Sequence, residues 1–192
     1  MAQRNVQFVE NEYYHIYNRG CNRELIFRSD ENYRFLLRKM RKYFIGGELS
    51  VIAYCLMPNH YHFLLRQNSS ISAGRIIQSI FNGYTKAFNQ MWKRSGTLFE
   101  GPFKVKWIKE FGYLIHLSRY IHRNPLDAGL VDTIETWQYS NYPEWIGLRD
   151  DVLVDRAFVK EHYSSPNEYK AFALEYDPLK KIKKDLEKYS FD

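Results

Sequence analysis

The run "LSVIAYCLMPNHYHFLLRQ" leaves this chain little choice of fold. Two apolar stretches rich in β-branched and aromatic residues stand on either side of Pro58-Asn59. They read as a strand over residues 49–57, a tight turn, and a returning strand over residues 60–67. Flanking segments supply partners. An earlier strand fits residues 12–18, "EYYHIYN", ended by Arg19-Gly20. A helix follows over residues 30–44, with Ser29 or Asp30 to cap it and Tyr33, Leu36, Leu37, Met40 and Phe44 at helical spacing. Its other face carries Arg34, Arg38, Lys39, Arg41 and Lys42, a row that reads first as a solvated face.

After the hairpin, a second helix fits residues 72–93, with Ile76, Ile77, Ile80, Tyr84 and Phe88 along one stripe, and Gly96 stops it. "TLFEGPFKVKWIK" then supplies a strand bulged at Gly101-Pro102. A helix over residues 111–123 is expected to end before Asn124-Pro125, because proline disfavours helical geometry in the residue before it. Strand, helix, strand, strand, helix, strand is the split βαβ order. It predicts an α+β, ferredoxin-like fold, with an antiparallel sheet and helices packed on one face. Beyond Gly147 the chain turns acidic, and residues 148–192 read as a small helical C-terminal extension with a Lys-rich, weakly ordered tail.

Charge bears on partners. Lys and Arg number 28 against 22 Asp and Glu, a formal net charge of +6, which suits a polyanion such as nucleic acid and equally suits a mildly basic soluble surface. Cys21 and Cys55 form neither a CxxC unit nor a disulfide framework, and no signal peptide opens the chain, so a cytoplasmic, nucleoid-associated location is expected. No apolar run approaches a membrane span.

Within the returning strand, His60 and His62 point to one side while Tyr61, Phe63 and Leu65 point to the other. Two imidazoles side by side make a bidentate metal site, although a lone His-X-His arises easily without one. The segment "YLIHLSRYIHRNPLDAGLV" offers further groups: His116, Tyr120 and Asn124, at i, i+4 and i+8, share a helix face. By spacing alone, Tyr120 either presents a phenol to the same metal as Asn124 or packs in the core while Asn124 caps the helix.

Five segments occur in order: "YHIYNRG", "YCLMPNHYHFLL", "GTLFEGPFK", "RYIHRNPLDAGLV" and "WQYSNYPEWIG". Together they resemble the single-tyrosine, His-hydrophobic-His transposases, in particular the REP-associated tyrosine transposase group, over roughly residues 8–147. The resemblance implies a catalytic domain in residues 1–147, with His60 and His62 as the metal-binding pair and Tyr120 as the nucleophile. Asn124 stands where relatives often have Gln as third ligand; it keeps the amide oxygen on an arm one methylene shorter. The implied activity is cleavage and rejoining of single-stranded DNA beside hairpins or palindromic repeats, through a covalent phosphotyrosine, with Mg²⁺ or Mn²⁺. No Walker A sequence is present, consistent with strand transfer that needs no nucleotide cofactor.

For the DNA itself, Lys104, Lys106 and Arg94 are expected at the backbone, with Arg119 and Arg123, and Phe99 or Trp92 as stacking partners. Asn18 and Arg19 either touch DNA or shape the turn at Gly20. His15 reads as a core histidine, His116 as a buttress for Tyr120, and His122 as solvated. The competing function is a non-catalytic module of the same fold that binds hairpin DNA or RNA. The active site can be built within a monomer or across a homodimer.

Overall fold

The computed structural model describes residues 6–175. Four strands, β1 (Tyr13–Arg19), β2 (Leu49–Met57), β3 (His60–Gln67) and β4 (Lys104–Ile108), form one antiparallel sheet in the order β2-β3-β1-β4. Helix α1 (Asp30–Phe44) joins β1 to β2, and α2 (Ala73–Met91) joins β3 to β4. This is the ferredoxin-like split βαβ that the sequence pattern predicts.

The two crossover helices share one face of the sheet. Leu36, Leu37, Met40 and Phe44 of α1 and Ile77, Ile80, Tyr84 and Phe88 of α2 pack with Tyr14, Ile16, Tyr61, Phe63 and Leu65 from the strands. Alternation sends the neighbouring strand residues to the opposite face, and that face is covered too. Helix α3 (Phe111–Asp127) lies there, with the short α4 (Tyr142–Trp145), α5 (Arg156–His162) and α6 (Pro166–Leu174). Leu114, Leu117 and Ile121 pack with Ile52, Ala53, Cys55 and Leu64 beneath them and with Trp145, Phe158 and Tyr169 beside them. Beyond Gly147 the chain forms α5 and α6. The Lys-rich tail lies outside the described residues.

Two element boundaries depart from the sequence expectation. Helix α3 does not stop before Pro125 but runs through it to Asp127. Pro125 has no N–H to offer the Ile121 carbonyl, and the helix continues past it; just before it, the Asn124 side chain donates to the Tyr120 carbonyl, 3.0 Å away. The last strand is shorter than expected and begins only at Lys104. Residues 97–103 wrap irregularly against the end of β1, touching it at the Gly20–Phe99 bridge and where the Asn18 amide donates to the Gly101 carbonyl. The proline at 102 cannot donate to a ladder, so pairing starts after it.

β2 is an edge strand, and residues 137–155 close its edge. The Asp155 N–H donates to Val51 O, Trp145 Nε1 to Ile52 O and Trp137 Nε1 to Leu56 O. At the centre sits Asn141, wholly buried. Its Nδ2 donates to the carbonyls of Ile52 and Leu153, and its Oδ1 accepts from the Tyr54 N–H at 2.7 Å. With the amide so oriented, Oδ1 can only accept from His122 Nε2 (2.9 Å), which leaves His122 Nδ1 to accept from the Tyr169 hydroxyl at 2.6 Å. A single chain of hydrogen bonds thus ties α6 to α3 and α3 to the sheet edge.

His122 is therefore a buried connector, and the expectation that it is solvated is corrected: α6 covers the side of α3 that the sequence pattern left open. Burial pushes its imidazole down to about 4, only partly opposed by the bond to Asn141. The folded state thus resists a proton that the unfolded chain accepts near pH 6.5. This contribution to stability is complete above about pH 6.5 and is lost as the pH falls toward 4, a change of roughly 3 kcal/mol. Urea midpoints across that window should fall with pH, and His122→Gln should make the trend shallower, the remainder coming from the buried His15 and His62.

Candidate functional site

The register decides what meets on the α3 face. β1 pairs with β3 so that Tyr17 lies opposite His62 and Arg19 opposite His60. β4 pairs with β1 so that Lys104 lies opposite Tyr17 and Lys106 opposite His15. Odd positions of β1 and even positions of β3 and β4 share this side. His60, His62, His15, Tyr17, Lys104 and Lys106 therefore stand together, with α3 packed alongside.

The two strand histidines lie with ring centroids 5.1 Å apart, nearly perpendicular. The Tyr120 ring meets His62 edge to face at 5.7 Å. His60 Nε2 lies 3.4 Å from Asn124 Oδ1. The four residues singled out in sequence thus converge, with Tyr120 half-buried at the edge of the second core and its ring against His62.

Hydrogen bonding fixes how these groups face one another. Asn59 Nδ2 donates to the Arg23 carbonyl, which turns its Oδ1 toward His60 Nδ1 at 2.7 Å. His60 therefore carries its hydrogen on Nδ1 when neutral, leaving a lone pair on Nε2. Asn124 is oriented in the same way, because its Nδ2 is committed to Tyr120 O. The His60 Nε2 and the Asn124 Oδ1 thus face each other at 3.4 Å, and both are atoms that can turn a lone pair to a cation. Among the described residues no three His, Cys, Asp or Glu side chains form a metal cage. The side chains here that could hold a divalent ion are the two imidazoles and the Asn124 amide.

His62 is wholly buried, and its Nδ1 lies 3.0 Å from His15 Nε2. Burial first, and then the neighbouring His60 and His15, hold His62 well below the ordinary histidine range. Burial and then Lys106 push His15 down to about 3. Both rings are neutral, and one hydrogen is shared between them. If His62 donates it from Nδ1, its Nε2 keeps the lone pair a ligand needs, with His15 as acceptor. His15 is thus buried as expected, and its place against His62 is what the sequence reading missed. Alternation puts it on the correct face, but only the β1–β3 register brings it to His62. Asn59, read as a turn residue, was also missed: its amide is turned toward His60 by the carbonyl of Arg23, far away in the chain.

The remaining expectations divide. Lys104 is exposed on the site face, with its ammonium 5.9 Å from the Tyr17 ring, and the Lys106 ammonium lies 4.1 Å over Tyr113 of α3. Arg94 braces the loop after α2, donating to Asn89 Oδ1 and to the Thr97 carbonyl. Asn18 shapes the turn: it is nearly buried, its Nδ2 on Gly101 O and its Oδ1 accepting from the Arg19 N–H. Arg19 is paired with Glu100 at 2.9 Å.

Arg119 and Arg123, expected at the DNA backbone, are instead turned to α6. Arg119 donates to the Phe172 carbonyl and lies 4.1 Å over the Phe172 ring, while Arg123 donates to the Ala173 carbonyl and to Asp127. The last carbonyls of α6 lack helical partners and form the negative end of its dipole, so two guanidiniums cap it. His116 accepts from Arg119 at 2.8 Å and so braces that clamp; it does not buttress Tyr120. Phe99 is nearly buried, whereas Trp92 is 37% exposed, with its indole N–H on Asn32.

With this geometry in hand, comparison with known proteins is decisive at the family level. The family described as "Transposase IS200 like" matches residues 8–124. The chain belongs to that family. A search of curated proteins finds no match. Among solved structures, a REP-associated tyrosine transposase bound to a REP hairpin matches with a TM-score of 0.60 at 16% identity, covering 81% of this chain and 98% of that one. At that identity the likeness concerns the fold. A protein of Deinococcus radiodurans R1 described as a transposase also matches, with a TM-score of 0.43 at 16% identity, covering 63% of this chain and 96% of that one. Among the described residues of this IS200-like chain, no helix is long and apolar enough to cross a membrane.

The His15 contact generates a measurement. His15→Ala removes the partner that fixes the His62 ring, and loss of such a partner typically weakens metal binding by about 10- to 100-fold. Calorimetric titration with Mn²⁺ should show that loss while the protein remains folded. Unchanged affinity would mean that His15 only fills space.

Proposed function

We propose that this IS200-like protein is a metal-dependent, single-tyrosine transferase of the REP-associated type. It cleaves and rejoins single-stranded DNA beside hairpin or palindromic repeats. The observation that carries this reading is the convergence of Tyr120 on His62, 5.7 Å between rings, with His60 Nε2 3.4 Å from Asn124 Oδ1. A nucleic-acid binder of the same fold needs none of these four in combination.

His60, His62 and Asn124 would hold Mg²⁺ or Mn²⁺. When bound, the ion neutralises and polarises the scissile phosphate. Three neutral ligands leave its positive charge available to the phosphate. The imidazoles favour Mn²⁺ in a competition between the two ions. Tyr120 attacks phosphorus through its phenolic oxygen, losing a proton whose ordinary pKa is about 10. An O–P bond to tyrosine forms as the bond from phosphorus to one sugar oxygen breaks, releasing a hydroxyl end. Attack on the phosphotyrosine by a DNA hydroxyl reverses the step, so the ester is conserved and rejoining needs no ATP. Lys104 and Lys106, on the same face, hold the strand's phosphates. The structure of the REP-associated relative, described as bound to a REP hairpin, supports hairpin DNA as the partner.

The deciding experiment uses Tyr120→Phe. The variant keeps the ring and should fold, bind hairpin DNA and bind Mn²⁺. Incubation with labelled single-stranded DNA from the repeats beside its gene should give a denaturant-resistant protein–DNA band with the parent and none with the variant. A band that persists in the variant moves the nucleophile elsewhere. No band from either protein, despite tight hairpin binding in Mn²⁺, favours the binding-module reading.

Electrostatics provides a second test. Binding to single strands should weaken with salt at a log-log slope of about −0.7 per phosphate neutralised. Replacing Lys104 and Lys106 together with Ala should flatten the slope by roughly 1.4. An unchanged slope would place the DNA path on another face.

A further inference from the structure

On the sheet face opposite Tyr120, a cavity of about 470 Å³ opens between α2 and the irregular segment before β4. Tyr61, Phe81, Phe99 and Phe103 supply its aromatic lining. The Tyr61 and Phe81 rings stack at 4.0 Å, with Phe99 edge-on to both. Gln78 and Asn82, one turn apart on α2, line it as well with exposed side chains. Among the described residues neither amide makes a hydrogen bond within the protein.

We propose that this cavity seats one unpaired nucleobase of the DNA strand; the inference rests on the functional reading above and adds a recognition subsite to it. Three features select that occupant. The lining contains no charged residue, so it suits a neutral group and not a phosphate. Its wall is apolar and built from aromatic side chains, which suits the apolar face that every base has. The two amides each offer a donor and an acceptor, the pattern that matches a base edge.

Location supplies the link to the proposed cleavage site. Tyr61 follows His60 directly in β3, so the cavity and the histidine site lie on opposite faces of the same strand end. Arg19 sits at that end of β1, opposite His60 in register. A strand leaving Tyr120 and turning round the end of the sheet brings a neighbouring unpaired base to the cavity. The base at this position is read by the amides while the phosphates stay on the cationic side.

An abasic scan tests the proposal. A synthetic hairpin from the repeats beside the gene, with its unpaired flanking nucleotides, is replaced one unpaired position at a time by an abasic site. Binding is measured for the full chain and for a Gln78→Ala, Asn82→Ala double variant, whose exposed amides can be removed without opening the core. One position should cost the parent about 10-fold in affinity, and that cost should shrink several-fold in the double variant while the other positions behave alike. A photoreactive 5-iodouracil at that position should cross-link to Tyr61, Phe81, Phe99 or Phe103. Identical scans in the two proteins, with cross-links mapping elsewhere, would overturn the subsite and leave the cleavage reading standing. Failure of the parent to bind any hairpin would overturn both.

Discussion

The structure depends on the docking of α3 against the sheet, and that docking runs through Asn141. One buried amide uses both of its hydrogens and its oxygen to join β2, Leu153 and His122. Without it, the Tyr54 N–H and His122 Nε2 would be buried without this acceptor, at about 1–3 kcal/mol for each orphaned group. Helix α3 also carries Tyr120 and Asn124, two of the four groups at the candidate site. The position of the phenol over His62 is thus set from a point well outside the site.

The C-terminal helices belong to the same argument. Arg119 and Arg123 sit on α3 beside Tyr120, yet their guanidiniums cap the carbonyl end of α6. Tyr169 of α6 donates to His122 on the next face of α3. α3 is held on one side by the sheet and on the other by α6, so a rigid helix presents the tyrosine. Positive charge at Arg119 and Arg123 that reads as DNA-binding in the sequence is used internally, whereas Lys104 on β4 is exposed on the site face.

At the site, orientation matters as much as proximity. Asn59 turns His60, His15 partners His62, and the Tyr120 carbonyl turns Asn124. These contacts orient the three side chains that the proposed function assigns to a cation, and neutral ligands would leave that cation's charge to the phosphate.

The sequence by itself determined the order of elements, the ferredoxin-like topology and the sharing of one strand face by His60 and His62. These follow from local rules: period-two alternation, helical spacing, and turn residues at Pro58-Asn59. The helical spacing of Tyr120 and Asn124 was equally legible, although spacing left their roles open between core and site. Only the tertiary structure decided which strand face each helix covers, and hence that His122 is buried and that Arg119 and Arg123 serve α6. It also decided the β1–β3 register that brings His15 to His62. Pairing register and helix docking are set by contacts between residues far apart in the chain, such as His122 with Asn141 and Tyr169, and no local pattern encodes them.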